Sequence, residues 1–144
     1  MFNPNRDEAR TFLFDAWKKF RAEAPLTALE AIAVDVIRKH PEYHPQLDHP
    51  EKFAERDYAP EAGETNPFLH LFMHIGIHEQ LSIDRPAGVR AAHAALTQLH
   101  GETHKAEHDV MDCMAEMIWQ AQRTKSAFDA GLYLNCLAKK QGKA

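Results

Sequence analysis

Apolar positions along the 144-residue chain recur every three to four residues in several segments, which is the repeat of an amphipathic α-helix. The pattern predicts a first helix over residues 5–23, which Pro25 ends. A second helix is predicted over 28–40. Thr27 and Glu30 have the spacing of a capping box at its start, because each side chain can bond the main chain of the other residue.

Residues 41–66 are rich in Pro, Asp, Glu and Gly, and they predict a long loop with at most short helical turns near 41–47 and 50–57. After this loop Asn66 and Pro67 have the residue types that open a helix. Helical patterns then continue almost to the end of the chain, with breaks only a few residues long. The predicted spans are 67–82 for helix 3, 86–100 for helix 4, 103–124 for helix 5 and 128–139 for a last helix.

The fold class that follows is all-α, a compact bundle of five to six helices within a single domain over 1–144. Short connections at 83–85 and 101–102 predict that helices 3, 4 and 5 are antiparallel neighbours. That order would bring the end of helix 4 and the starts of helices 3 and 5 to one end of the bundle.

Charge and composition limit the classes of partner that we expect the protein to bind. The formal net charge is −4, so neither nucleic acid nor an anionic membrane is an expected partner. The first residues are charged and no apolar run reaches about 18 residues, which predicts a cytoplasmic protein. Cys113 and Cys136 form no Cys-x-x-Cys motif. We expect them to pack as reduced side chains, with a redox pair or a metal ligand as the alternatives.

Ten of the residues are histidines, and they recur at a spacing of four. Random placement would give roughly 0.6 such pairs, whereas the chain contains five. Two imidazoles four residues apart share a helical face and can bind one metal ion. The pairs are His40/His44, His70/His74, His74/His78, His100/His104 and His104/His108.

The strongest ligand candidates belong to predicted helices 3 and 5. On helix 5, Glu107 shares an apolar stripe with Met111 and Met114, so it is expected to point inward unless the first turn frays. The predicted metal ligands are His70, His74, His104, His108 and Glu107. The weaker candidates are His40, His44, Glu79 and His100.

Pro41 interrupts the helix between His40 and His44, which weakens the argument from spacing for that pair. His78 lies too far along helix 3 to share one ion with the whole set, and is either a supporting group or a ligand of a second metal. His49 and His93 have no partner at helical spacing and are expected at the surface.

Imidazoles and a carboxylate without a thiolate favour iron or zinc, and are also compatible with manganese or copper. Iron with an open position would support oxygen or peroxide chemistry, and zinc with three ligands and a water would support hydrolysis. Haem ligation by a histidine is a third alternative. The pattern indicates no particular substrate, and it leaves open whether the protein is an enzyme.

A competing prediction is a non-enzymatic interaction module in which the histidines form a pH-sensitive cluster. In that case a homodimer partner or another protein would bind the aromatic helix 1 or the methionines of helix 5. Those methionines are Met111, Met114 and Met117.

Three segments together resemble a family known as domain of unknown function 1841. They are HPEYH at 40–44, ETNPFLHLFMHIGIHEQLSIDRPAGVR at 64–90 and HKAEHDVMDCMAEMIWQAQR at 104–123. The resemblance covers most of the chain and implies a bacterial cytoplasmic protein. It brings no activity, cofactor or catalytic residue with it.

Overall fold

A computed structural model describes residues 6–58 and 66–142, and every regular element in these ranges is helical. The all-α prediction is therefore confirmed. The eight α-helices of the described residues are α1 (Arg6–Arg21), α2 (Ala28–Arg38), α3 (His44–Asp48), α4 (Pro50–Phe53), α5 (Pro67–Ile83), α6 (Val89–His100), α7 (Thr103–Thr124) and α8 (Ala130–Lys140).

The predicted number of five to six helices is wrong, because α3 and α4 lie within the segment predicted as a long loop. A 3₁₀ turn at Pro41–Tyr43 precedes them. Each of the two short helices has a proline in its first two positions, Pro45 and Pro50, where the fixed φ of proline suits a helix start. Residues 59–65 of the predicted loop lie outside the described ranges.

Residue contacts divide the chain into two compact units, Met1–Ile75 and Gly76–Ala144, and α5 contributes to both. The single domain over 1–144 and the antiparallel order of helices 3, 4 and 5 stay predictions. Within the described residues, no helix is long and apolar enough to cross a membrane.

In the first unit, α1 packs against α2 and α3 around a core that includes Leu13, Trp17, Ile37 and Leu71. The capping box of α2 is confirmed. The amide of Glu30 donates to Thr27 Oγ1 at 3.2 Å, and the amide of Thr27 donates to the Glu30 carboxylate at 2.9 Å.

Arg10 links α1 to the end of α4, a contact that the sequence pattern does not predict. Its guanidinium is buried and donates to the carbonyl oxygens of Phe53, Ala54 and Arg56 at 2.7 to 3.2 Å. It also lies 4.6 Å from the centre of the Phe68 ring. Carbonyls at a helix end need such donors, because they have no partner within the helix.

Acid should lower the stability of the first unit by protonating the carboxylate of Glu30. A hydrogen bond from Lys19 and then one from the Thr27 main chain lower the pKa of the Glu30 carboxyl below its ordinary 4.5. The carboxylate therefore stabilises the fold fully above pH 4.5, and this stabilisation is lost as pH falls through the lower folded pKa.

The substitution Glu30→Gln keeps the capping geometry without the charge. We expect it to lower the free energy of unfolding at neutral pH and to flatten its decline in acid, as measured by urea unfolding. Asp35→Asn is the control, since Asp35 is 53% exposed in its i,i+4 pair with Lys39. An equal acid profile in Glu30→Gln and the wild type would contradict the assignment.

In the second unit, α6, α7 and α8 pack on one another around Leu96, Val110, Tyr133 and Leu137. The hydroxyl of the fully buried Tyr133 donates to the side-chain oxygen of Gln80 at 2.8 Å. Burial raises the pKa of this hydroxyl, so it remains a hydrogen-bond donor at neutral pH.

The expectation of reduced cysteines is wrong, because Cys113 on α7 and Cys136 on α8 form a disulfide. Their Cα atoms are 5.8 Å apart, within the usual range for a disulfide. A separation of 23 residues carries no sign of this proximity, which arises from the packing of α7 on α8.

Candidate metal centre

Four histidines form a cluster that could hold a metal ion. Each offers one ring nitrogen, and these nitrogens all lie within 4.8 Å of one another. His74 and His40 are buried, with exposed fractions of 1% and 3%, and the other two are half-buried. The members are His40, His74, His104 and His108.

His40 follows α2 and is held in place by the end of that helix. Its amide donates to the carbonyl of Ile37 at 2.9 Å, and its ring Nδ1 lies 2.8 Å from the carbonyl oxygen of Val36. Because a carbonyl only accepts, Nδ1 carries the proton in the neutral ring and Nε2 presents its lone pair. Pro41 gives His40 a non-helical backbone, with φ −125° and ψ 64°, yet the ring still belongs to the cluster.

His74 lies one turn after His70 on α5. The ring centre of His74 is 4.7 Å from that of His40, and 5.0 Å from that of His70. His70 is not one of the four histidines, but its Nε2 lies 3.2 Å from Nε2 of His40. In a neutral pair, His70 donates this hydrogen bond, because His40 carries its proton on Nδ1.

His104 and His108 stand one turn apart near the start of α7, as their spacing predicts. Their ring centres are 4.3 Å apart and the rings meet edge to face. A spacing of four on one helix is sufficient to bring these two imidazoles together.

The structure places the other weak candidates in different surroundings. His44 Nε2 lies 2.9 Å from the carbonyl oxygen of Ile37, and the His44 ring packs on Trp17. His100 pairs with Asp109 at 2.5 Å. Glu79 lies half-buried on α5.

Glu107 is buried, with 3% of its surface exposed, so the alternative of a wet, frayed first turn is wrong. One carboxylate oxygen of Glu107 lies 3.4 Å from Nε2 of His78. The predicted surface position of His93 is also wrong, since the residue is half-buried and its Nε2 is shielded from water. Sequence spacing missed His93 because no other histidine lies three or four residues from it. His49 is exposed as expected and pairs with Glu51.

These observations define an all-helical protein with a cluster of four histidines that could hold a metal ion. The chain belongs to the family described as domain of unknown function (DUF1841), whose model matches residues 5–139. The resemblance of the three segments is thus confirmed. None of the curated proteins and none of the solved structures is significantly similar to the chain.

Proposed function

We propose that the protein binds a transition-metal ion through one imidazole nitrogen from each of His40, His74, His104 and His108. The observation that carries the proposal is the mutual distance of these nitrogens, all within 4.8 Å. Metal–nitrogen bonds of about 2.0–2.1 Å separate two tetrahedral ligands by about 3.4 Å. Small side-chain adjustments would therefore bring the four nitrogens to bonding distance.

The donor set favours iron or zinc, with manganese and copper also compatible. Both cysteines are joined in the disulfide, so neither offers a thiolate to the ion. Four nitrogens complete a tetrahedral zinc site, which is the arrangement of structural zinc. Six-coordinate iron would retain two open positions, the requirement for oxygen or peroxide chemistry. A hydrolytic zinc site would need one histidine to give way to water.

His40 supports the proposal through its orientation. Its Nδ1 faces the carbonyl of Val36, so Nε2 is the nitrogen that would bind the ion, once it releases the hydrogen bond that it accepts from His70. Metal-bound histidines commonly donate their other ring N–H to a carbonyl or carboxylate of this kind. His70 would lie beside the ion, either as a neighbour of His40 or as a fifth ligand of the ion. Glu107, also predicted as a ligand, directly precedes His108 on α7 and stays a predicted ligand.

Metal content of the untagged, purified chain tests the proposal. We expect close to one ion in the four-histidine site of each chain, and the double variant His74→Ala, His108→Ala should lose it. His49→Ala is the matched control, since His49 is exposed and pairs with Glu51. An absorption spectrum of the same sample separates iron or haem from zinc. A content below about a tenth of an ion per chain, unchanged by the double variant, would refute metal binding.

The second candidate is a protein-interaction module with a pH-sensitive histidine cluster. The observation that favours it is the 3.2 Å contact between the Nε2 atoms of His40 and His70. Two protonated rings cannot share this hydrogen bond, so acid would separate the two rings and alter the packing around them. Refutation of metal binding by the preceding experiment would leave this candidate. The partner surface and the cytoplasmic location stay predictions in either case.

A further inference from the structure

We propose that Cys136 is a modification site, at which a small zwitterionic thiol peptide opens the Cys113–Cys136 disulfide and stays attached as a mixed disulfide. The site goes beyond the proposed function, because it shares no residue with the four-histidine cluster. It lies within the second unit, on α7 and α8.

The two cysteines of the disulfide differ in their exposure. Cys113 on α7 is 0% exposed, whereas Cys136 on α8 is half-buried. Cys136 also lines a cleft of about 270 Å³ between the two helices. Because the rate of thiol–disulfide exchange depends on which sulfur the attacking thiolate can reach, this difference directs the attack to Cys136.

Helical spacing explains why Cys136 lies in the wall of this cleft. Leu132, Cys136 and Lys139 are separated by four and then three residues, so they follow one face of α8. Glu116 and Gln120 are one turn apart on α7, and Nε2 of Gln120 donates to a carboxylate oxygen of Glu116 at 2.9 Å. Regular helices therefore fix the positions from which these side chains extend around Cys136.

The polar groups of the cleft favour a thiol that carries both charges and peptide groups. Lys139 supplies an ammonium, Glu116 a carboxylate, and Gln120 and Asn135 supply amides. A short thiol peptide offers carboxylates, an ammonium and amides, which are the complementary partners of these four side chains. The volume of about 270 Å³ lies near the lower end for small-molecule sites, roughly 300 Å³, so the cleft suits a small thiol peptide.

The exchange proceeds in two balanced steps. The peptide thiolate attacks Sγ of Cys136, the bond to Cys113 breaks, and its electron pair leaves on Cys113, which takes a proton from water. A second peptide thiolate then attacks the sulfur of the bound peptide and releases Cys136 together with peptide disulfide. Two peptide thiols are oxidised and the two cysteines are reduced. The covalent link between α7 and α8 therefore depends on the thiol concentration around the protein.

Single-cysteine chains test the site. Cys113→Ser leaves the thiol of Cys136 and Cys136→Ser leaves that of Cys113, so each chain is the matched control of the other. Circular dichroism checks their folding, and intact-mass spectrometry follows their reaction with glutathione disulfide. We expect the Cys113→Ser chain to react about 100-fold faster, because Cys113 must first be exposed by local unfolding. Rates in denaturant, where both thiols are exposed, provide the reference.

The wild-type chain provides a second measurement. After treatment with reduced glutathione and an acid quench, peptide mapping should find the adduct on Cys136. An adduct on Cys113, no adduct at any thiol concentration, or equal native rates of the two single-cysteine chains would overturn the site. If a single-cysteine chain fails to fold, the position of the adduct in the wild type decides.

Charge variants test the choice of a thiol peptide. In the Cys113→Ser chain, Lys139→Gln should slow the reaction with glutathione disulfide about threefold, the effect of a partly exposed ion pair. Lys140→Gln is the matched control, since Lys140 pairs with Asp112 instead. The effect of Lys139→Gln should be smaller with the uncharged disulfide of 2-mercaptoethanol. An equal effect with both disulfides, or of both lysine substitutions, would overturn the choice of a charged peptide.

Discussion

Zinc ions at a thousandfold excess over their dissociation constant should raise the free energy of unfolding by about 4 kcal/mol. The reason is linkage, because the four histidine nitrogens lie within 4.8 Å of one another only in the folded chain. The chelator-treated chain should unfold at a lower temperature than the same chain with zinc. Calorimetry at a series of zinc concentrations measures the shift.

Each single substitution of a cluster histidine by alanine removes one of four bonds, and the double variant His74→Ala, His108→Ala removes two. We expect the double variant to lose most of the zinc-dependent gain in stability. His49→Ala should behave as the wild type. An equal gain in the double variant and the wild type would assign the stabilisation to other residues.

Reduction of the Cys113–Cys136 disulfide should lower the free energy of unfolding by about 3 kcal/mol, the value for a loop of this length. The bond closes a loop over a sequence separation of 23, and it ties α7 to α8 within the second unit. Chemical unfolding with and without a phosphine reductant measures the difference. Mass spectrometry before and after alkylation counts the thiols.

The matched control is the double variant Cys113→Ser, Cys136→Ser, whose stability should not respond to the reductant. Two thiols in the wild-type chain, alkylated in denaturant without reductant, would contradict the bond. The same outcome would restore the expectation of reduced cysteines that the sequence alone favours.

Local sequence signals predicted those helices whose starts depend on hydrogen bonds to the main chain. Thr27 and Glu30 start α2 as their capping pattern requires. The short helices α3 and α4 lie where only short helical turns were expected, near 41–47 and 50–57, because their few residues carry no amphipathic repeat. Pro45 and Pro50 start these helices, since the fixed φ of proline suits a first turn.

Spacing predicted three members of the cluster, His74, His104 and His108, because residues four apart on a helix share a face. It ranked His70 above His40, since Pro41 removes His40 from a regular helix. The ring of His40 is oriented by the carbonyl of Val36, a contact that no repeat in the sequence encodes.

Glu107 also shows that sequence spacing does not predict contacts between helices. Its inward direction followed from the apolar stripe of α7, and the structure buries it. Its neighbour His78 lies on a different helix, so only the packing of the second unit could reveal it.

Each of the two units contains one of the two tryptophans of the chain. Trp17 is 4% exposed in the first unit, and Trp119 is 53% exposed in the second. A buried indole emits at shorter wavelengths than one in water, so each unit carries its own fluorescent reporter. In Trp17→Phe and Trp119→Phe chains, the remaining indole would follow one unit alone. Coincident denaturant transitions would identify a single cooperative domain, and separate ones would identify two.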